Sequence, residues 1–251
     1  MKEDGSRNDV IFTAKIQARM RNMDSPDRSF DKFIQELVDK WGNTPDADRN
    51  RDASRITVVT VSSEPGSGGQ VIARSIAERM GYDLFQRDII REIADRADIG
   101  VSVIESIEKE RLSGIEDFIA TLVSRRYLWP EMYLEQLMKV ISVIGKHGMA
   151  VIAGRGANFI LPPDERLSIR VVAPMDLRIL NISRLLSISE EEARKWVIMK
   201  EAKRKAFIRK SFNADIADPI NYDLTFNTEF IRYEAAVEAV RQILEGDGKS
   251  G

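Results

Sequence analysis

The 251-residue chain balances 38 Lys and Arg against 40 Asp and Glu, a formal net charge of −2. It presents no global basic field for nucleic acid or an anionic membrane surface. It has no cysteine, which excludes disulfides, thiolate catalysis and cysteine-ligated zinc, and a single histidine, His147, which argues against a histidine-based triad or metal cluster.

With 43% hydrophobic and 31% charged residues, the chain suits one α/β domain plus an appendage, or two small domains, with ample core. No apolar run reaches the length of a membrane span, and the N-terminus lacks a signal-peptide core. A cytoplasmic location is expected.

Residues 1–54 read as an N-terminal extension and linker, partly disordered. Phe30, Phe33, Ile34, Leu37 and Trp41 fall at helical spacing and predict a helix over 29–41. An apolar stripe outside a domain must find cover, so this helix is a candidate surface for a protein partner. The following GNTPDADRNRDASR reads as a flexible linker.

The main domain is expected over 55–246 and opens with ITVVTVSSEPGSGGQVIA, Ile56–Ala73. Ile56 to Val61 predict a strand; Ile72, Ile76 and Met80 predict a helix stopped by Gly81. Between them lies Gly66-Ser67-Gly68-Gly69. Glycines let successive backbone N–H groups face one concavity, and a helix start adds unpaired donors and partial positive charge. The turn differs from G-x-x-x-x-G-K-[ST]: Gln70 and Val71 follow Gly69. The pattern alone leaves both a phosphate cradle and a plain glycine-rich turn open.

Tyr82–Phe85 predicts a short second strand, and 86–148 a helical insertion. Within it, Ser102 and Glu105 suit a capping box and Pro130 suits a first helical turn. His147, beside Gly148 at a helix end, suits a surface or capping role. Met149–Ala153 is a continuous apolar run, as in a strand buried on both faces, and ends in Gly154-Arg155-Gly156. Leu167–Ala173 predicts the next strand. A helix through Leu177, Leu180, Ile182 and Leu185 follows, with Asp176 as its N-cap.

Ser189 to Glu192 suit a capping box for a helix that turns basic at Lys200, Lys203, Arg204, Lys205, Arg209 and Lys210. Tyr222–Thr228 predicts the last strand and Ala235–Leu244 the closing helix. Alternating strands and helices imply an α/β fold with a parallel sheet covered on both faces.

Ligands of such sheets bind outside the carboxyl ends of the strands. The glycine turn follows the first strand, Arg87 and Arg91 the second, and Arg155 the third. The basic helix within 188–216 would fold over the sheet edge as a lid. Arginines converging on a phosphate cradle are what phosphoryl transfer requires, because its transition state spreads charge over non-bridging oxygens. The ordinary alternatives are local ion pairs for Arg87 and Arg91, and a solvated face for 200–210.

The order GSGGQVIA, LFQRDII, AVIAGRGANFIL, VVAP-x-x-x-R-I, a basic helix and NYDLTFNT resembles the cytidylate kinase-like family, within the P-loop nucleoside monophosphate kinases, over about Ile56 to Leu244. The resemblance implies a P-loop-type parallel five-stranded sheet, ATP and Mg²⁺, and a nucleoside monophosphate acceptor such as CMP or dCMP. By position, Gly66, Ser67, Gly68, Gly69 and Gln70 would hold the donor phosphates. Arg155 would grip the acceptor phosphate, with Arg87 and Arg91 near it. Arg204 and Arg209 would be lid arginines acting catalytically with Arg155, and 86–148 would include the acceptor-binding part.

The chain also departs from that pattern. A Walker lysine and its following Ser/Thr are replaced, by Gln70 and Val71 in the simplest register, or with Gly69 at the lysine site in a shifted one. Gly156 replaces the aspartate of a GRD motif, and Ser63 and Glu201 replace an arginine and an aspartate. No metal ligands are identifiable. Two other readings therefore stand beside a kinase for CMP: a nucleotide-binding regulatory protein without transfer activity, and a kinase for a non-nucleotide acceptor.

Overall fold

The computed structural model describes residues 56–87 and 132–246, together with 36, 39, 41, 90, 93, 114, 115, 117, 119 and 120. The expectations for Arg91, Ser102 with Glu105, and Pro130 lie outside these residues. So does the helix over 29–41, except at Glu36, Asp39 and Trp41.

Five strands form one sheet: β1 (Val58–Ser63), β2 (Asp83–Phe85), β3 (Ala150–Ala153), β4 (Leu167–Val172) and β5 (Leu224–Asn227). Their order is β2-β3-β1-β4-β5 and every pairing is parallel. Strand β1 is central, with β3 on one side and β4 on the other, so the chain reverses its direction of travel across the sheet at β1. That reversal leaves a crevice beyond the carboxyl ends of the strands.

The helices are α1 (Gly69–Met80), α2 (Met132–His147), α3 (Ala157–Ile160), α4 (Met175–Leu186), α5 (Glu190–Phe212) and α6 (Tyr233–Gly246). Side chains alternate between faces along each strand. Val59, Val61, Val151, Leu167, Ile169 and Val171 pack with Ile72, Ile76, Val237 and Val240 of α1 and α6. Val58, Ala150 and Ile152 face the other way, against Leu137, Ile141 and Ile144 of α2 and Ile208 and Phe212 of α5.

Local chemistry explains the element ends. Gly81 takes φ 67 and closes α1. Ser189 and Glu192 form the expected reciprocal capping box at the start of α5.

Two sequence expectations need correction, and one residue of the N-terminal stripe can be placed. Asp176 is not the N-cap of α4, which Pro174 provides; Asp176 is exposed and pairs with Arg194 at 3.3 Å. The buried stripe of α4 is Arg178, Ile179, Ile182 and Leu186, while Leu185 is 52% exposed. Trp41 is 6% exposed within the chain's own core. Its indole stacks on His147 with ring centroids 4.0 Å apart, so His147 ends α2 covered by an aromatic face.

Candidate active site

The turn from Glu64 to Gly69 joins β1 to α1 at the carboxyl edge of the sheet. Gly66 and Gly68 have φ of 83° and 81°, the left-handed region that glycine enters without penalty. Space also demands them: a Cβ on Gly66 would collide with the Arg178 carbonyl oxygen, and one on Gly68 with the Tyr233 ring.

The Ser67 hydroxyl is fully buried, with the Glu64 and Val171 carbonyls at 2.9 and 3.1 Å. Thr228 Oγ1 donates to the Ser67 carbonyl, and Asn181 Nδ2 to the Gly66 carbonyl, both at 2.9 Å. The carbonyls are thus tied backward into the protein. Among the described residues, the N–H groups of Gly66, Gly68, Gly69 and Gln70 donate to no backbone carbonyl. Unpaired amides at a helix start form a cradle for an anion.

Charged groups form a shell around this turn. Glu64, at its start, accepts from the Ala173 N–H at 3.2 Å and pairs with Arg178 at 3.4 Å and Arg170 at 3.9 Å. Arg178 reaches α5, donating to Glu201 at 2.8 Å; Lys205 pairs with the same carboxylate at 2.7 Å. Burial pushes the Glu201 carboxyl up, but the hydrogen bonds from Lys205 and Arg178 outweigh it and hold it below the ordinary value. Arg204 donates to the Ser63 carbonyl. Burial lowers its pKa to about 10, and the Arg87 and Arg170 cations add to that effect. It stays a cation at neutral pH.

The sequence-derived candidates separate on this geometry. Gly66, Gly68, Gly69 and Gln70 contribute the unpaired amides, whereas the Ser67 N–H donates to the Glu64 carbonyl at 3.1 Å and its hydroxyl is also committed, so Ser67 shapes the turn. Gln70 is exposed on the first turn of α1. Arg155, at φ 54, follows β3, and its Nε donates to the Arg87 carbonyl at 3.4 Å. Arg204 reaches the cradle, whereas Arg209 is exposed near the end of α5. Arg170 is not singled out by the sequence reading, and Arg178, within VVAP-x-x-x-R-I, and Glu64 receive no role there. A charged residue inside the apolar run of β4 was the available signal for Arg170.

The residues fit a nucleotide's phosphates better than they fit Mg²⁺. Val71 is exposed and carries no oxygen, the Ser67 hydroxyl is buried against carbonyls, and Glu64 and Glu201 are both paired with arginine. Among the described residues no cluster of three carboxylate, histidine or cysteine side chains exists. A bound Mg²⁺ would rest on phosphate and water oxygens, and no step below runs through it.

The family model described as the cytidylate kinase-like family matches residues 58–229. A cytidylate kinase of Ignicoccus hospitalis is 27% identical over 190 residues, covering 75% of this chain and 99% of that protein. A cytidylate kinase of Pyrococcus horikoshii is 29% identical over 174 residues, covering 68% of this chain and 79% of that one. An uncharacterized protein from Eubacterium ventriosum, of known crystal structure, shares the fold with a TM-score of 0.59 at 17% identity, over 76% of this chain and 99% of that one. No helix among the described residues is long and apolar enough to cross a membrane.

Proposed function

The chain belongs to the cytidylate kinase-like family, and from that premise we propose that it transfers the γ-phosphoryl group of ATP to a nucleoside monophosphate, CMP or dCMP. One observation carries the reading: the unpaired amides of the Gly66–Gly69 turn open beside Arg170, Arg178 and Arg204. In the reaction, an oxygen of the acceptor phosphate forms a bond to the γ-phosphorus of ATP. The bond from that phosphorus to the bridging oxygen breaks, and ADP leaves with the electron pair. Little covalent chemistry falls to the protein, so positioning and charge stabilisation dominate.

In this reading the glycine amides hold the donor phosphates. Guanidinium groups from β4, α4 and α5 supply the positive charge that a lysine gives elsewhere. Arg155 and Arg87, at the carboxyl ends of β3 and β2, sit where the acceptor enters. Residues 86–148 form the acceptor-binding part, and α5 is the lid.

A coupled assay of ADP release across CMP, dCMP, UMP and other monophosphates tests the proposal. Turnover highest with CMP or dCMP supports it, and no turnover with any of them by folded protein overturns it. The committed Ser67 hydroxyl and the absent Val71 oxygen favour a second reading, a nucleotide-binding protein without transfer activity. Calorimetric binding of ATP without ADP release would select that reading.

A further inference from the structure

Trp41 precedes residue 58, where the match to the family model begins, yet its side chain lies inside the domain's core. It is helical and 6% exposed, whereas Glu36 and Asp39 before it are helical and exposed. The cluster it joins holds Ile144 of α2 together with Phe85, Ile90, Ile93, Ile115 and Ile119, from the stretch that runs out of β2 into the helical insertion. A tryptophan buries more apolar area than any aliphatic side chain there.

Its two ring contacts join two elements. The indole stacks on His147, the last residue of α2, with centroids 4.0 Å apart and planes 9° apart. It also stacks on Phe85, the last residue of β2, at 6.3 Å and 28°; ring pairs at such separations gain beyond the area they bury. Phe85 is fully buried. Strand β2 has three residues and lies at the edge of the sheet, paired with β3, so side-chain packing must help to hold its end. Two residues beyond Phe85 stands Arg87, whose carbonyl accepts from Arg155 Nε at 3.4 Å. Trp41 thus packs on the residue that delivers the chain to Arg87. The glycine turn draws its packing from the other face of the sheet, through Val59, Val61, Ile72 and Ile76, a cluster to which Trp41 does not belong.

Resting on the reading of residues 86–148 as the acceptor-binding part, we propose that Trp41 is a positioning residue for the acceptor nucleotide. By filling the space between the end of α2 and Phe85, it fixes the carboxyl end of β2 and with it Arg87 and the Arg155 that leans on Arg87. The segment before the domain is then a working part of its acceptor half. A misplacement of about 1 Å, even from a change far from the chemistry, can cost on the order of a hundredfold, and Trp41 acts two residues from Arg87. Because the donor turn packs on the opposite face, loss of Trp41 is felt by the acceptor and not by the donor.

The test uses the full chain and calorimetry, with CMP as the probe of the acceptor side and ADP of the donor side. We expect Trp41→Ala to weaken CMP binding by about fivefold or more while ADP affinity changes by less than about twofold, a selective loss of acceptor binding. Trp41→Phe, which keeps a ring, should recover most of the CMP loss. A purely structural role would weaken both ligands together or neither. If the alanine variant does not fold, Trp41→Leu, which keeps an apolar side chain without a ring, carries the same expectation; failure of both to fold overturns the proposal, because Trp41 would then support the whole core. Equal CMP affinity in wild type and folded variants, or parallel losses for CMP and ADP, overturns the positioning role and leaves the kinase reading standing. Absence of CMP binding by the wild type overturns the reading of CMP as acceptor and this role with it.

Discussion

The carbonyl oxygen of Ser63, the last residue of β1, accepts a hydrogen bond from Arg204 Nη1, 141 residues further along the chain. This contact places the basic helix α5 directly on the edge where β1 becomes the glycine turn. A guanidinium held there by a neutral carbonyl keeps further N–H donors for an incoming oxyanion. Arg204→Ala should lower kcat by about a thousandfold or more, the range for a transition-state arginine, and Arg204→Lys should recover part of it. Steady-state kinetics with ATP and CMP check this; a change confined to KM would show a binding role alone.

Glu201 links α5 to Arg178 and hence to the turn. Its folded pKa lies below the ordinary carboxylate value. Its stabilising contribution is therefore present above the unfolded pKa and is lost as pH falls through the folded one. Melting temperature should drop in the acid range, and Glu201→Gln should show a smaller drop from neutral pH to pH of about 3. At neutral pH the variant should be less stable than wild type. Parallel thermal melts across pH, overlaying for the two proteins, would contradict this coupling.

The two left-handed glycines predict different penalties. Leaving φ near 80° to an alanine costs about 1–2 kcal/mol at either position. At Gly68 the obstacle is the Tyr233 side chain, which can swing aside; at Gly66 it is the backbone carbonyl of Arg178, which cannot. Gly66→Ala should therefore destabilise more, by about a further 1–3 kcal/mol for overpacking. Both should weaken ATP binding. Denaturant unfolding and calorimetry of the two variants provide the comparison.

Gly156 sits at φ 70 under Phe212, and a Cβ there would strike the phenyl ring. Introducing an aspartate at this position should not raise activity. Gly156→Asp is expected to displace Phe212 at the end of α5 and lower stability by about 2–4 kcal/mol, combining left-handed strain and overpacking. A melting temperature equal to wild type would show that the end of α5 yields without loss.

Much of the architecture was legible in residue order. The strands announced themselves as β-branched or apolar runs such as Val58–Val61 and Met149–Ala153, the capping box at Ser189 and the stop at Gly81 were local signals, and the turn Gly66–Gly69 could be read because backbone freedom is a property of single residues. Arg155, bracketed by glycines, was visible for the same reason. Side-chain convergence was not. Arg170 reads as an interruption of an apolar strand until period-2 alternation turns it away from Ile169 and Val171, toward the layer that contains α5. Arg178 becomes part of the shell only because α4 packs against Gly66, and Glu64 only because β4 lies beside β1. Trp41 reads only as one apolar position at helical spacing, and its burial against His147 is what makes it core. The division has one cause: glycine conformation, capping and periodicity act within a few residues, while charge balance and burial depend on distances between segments more than a hundred residues apart.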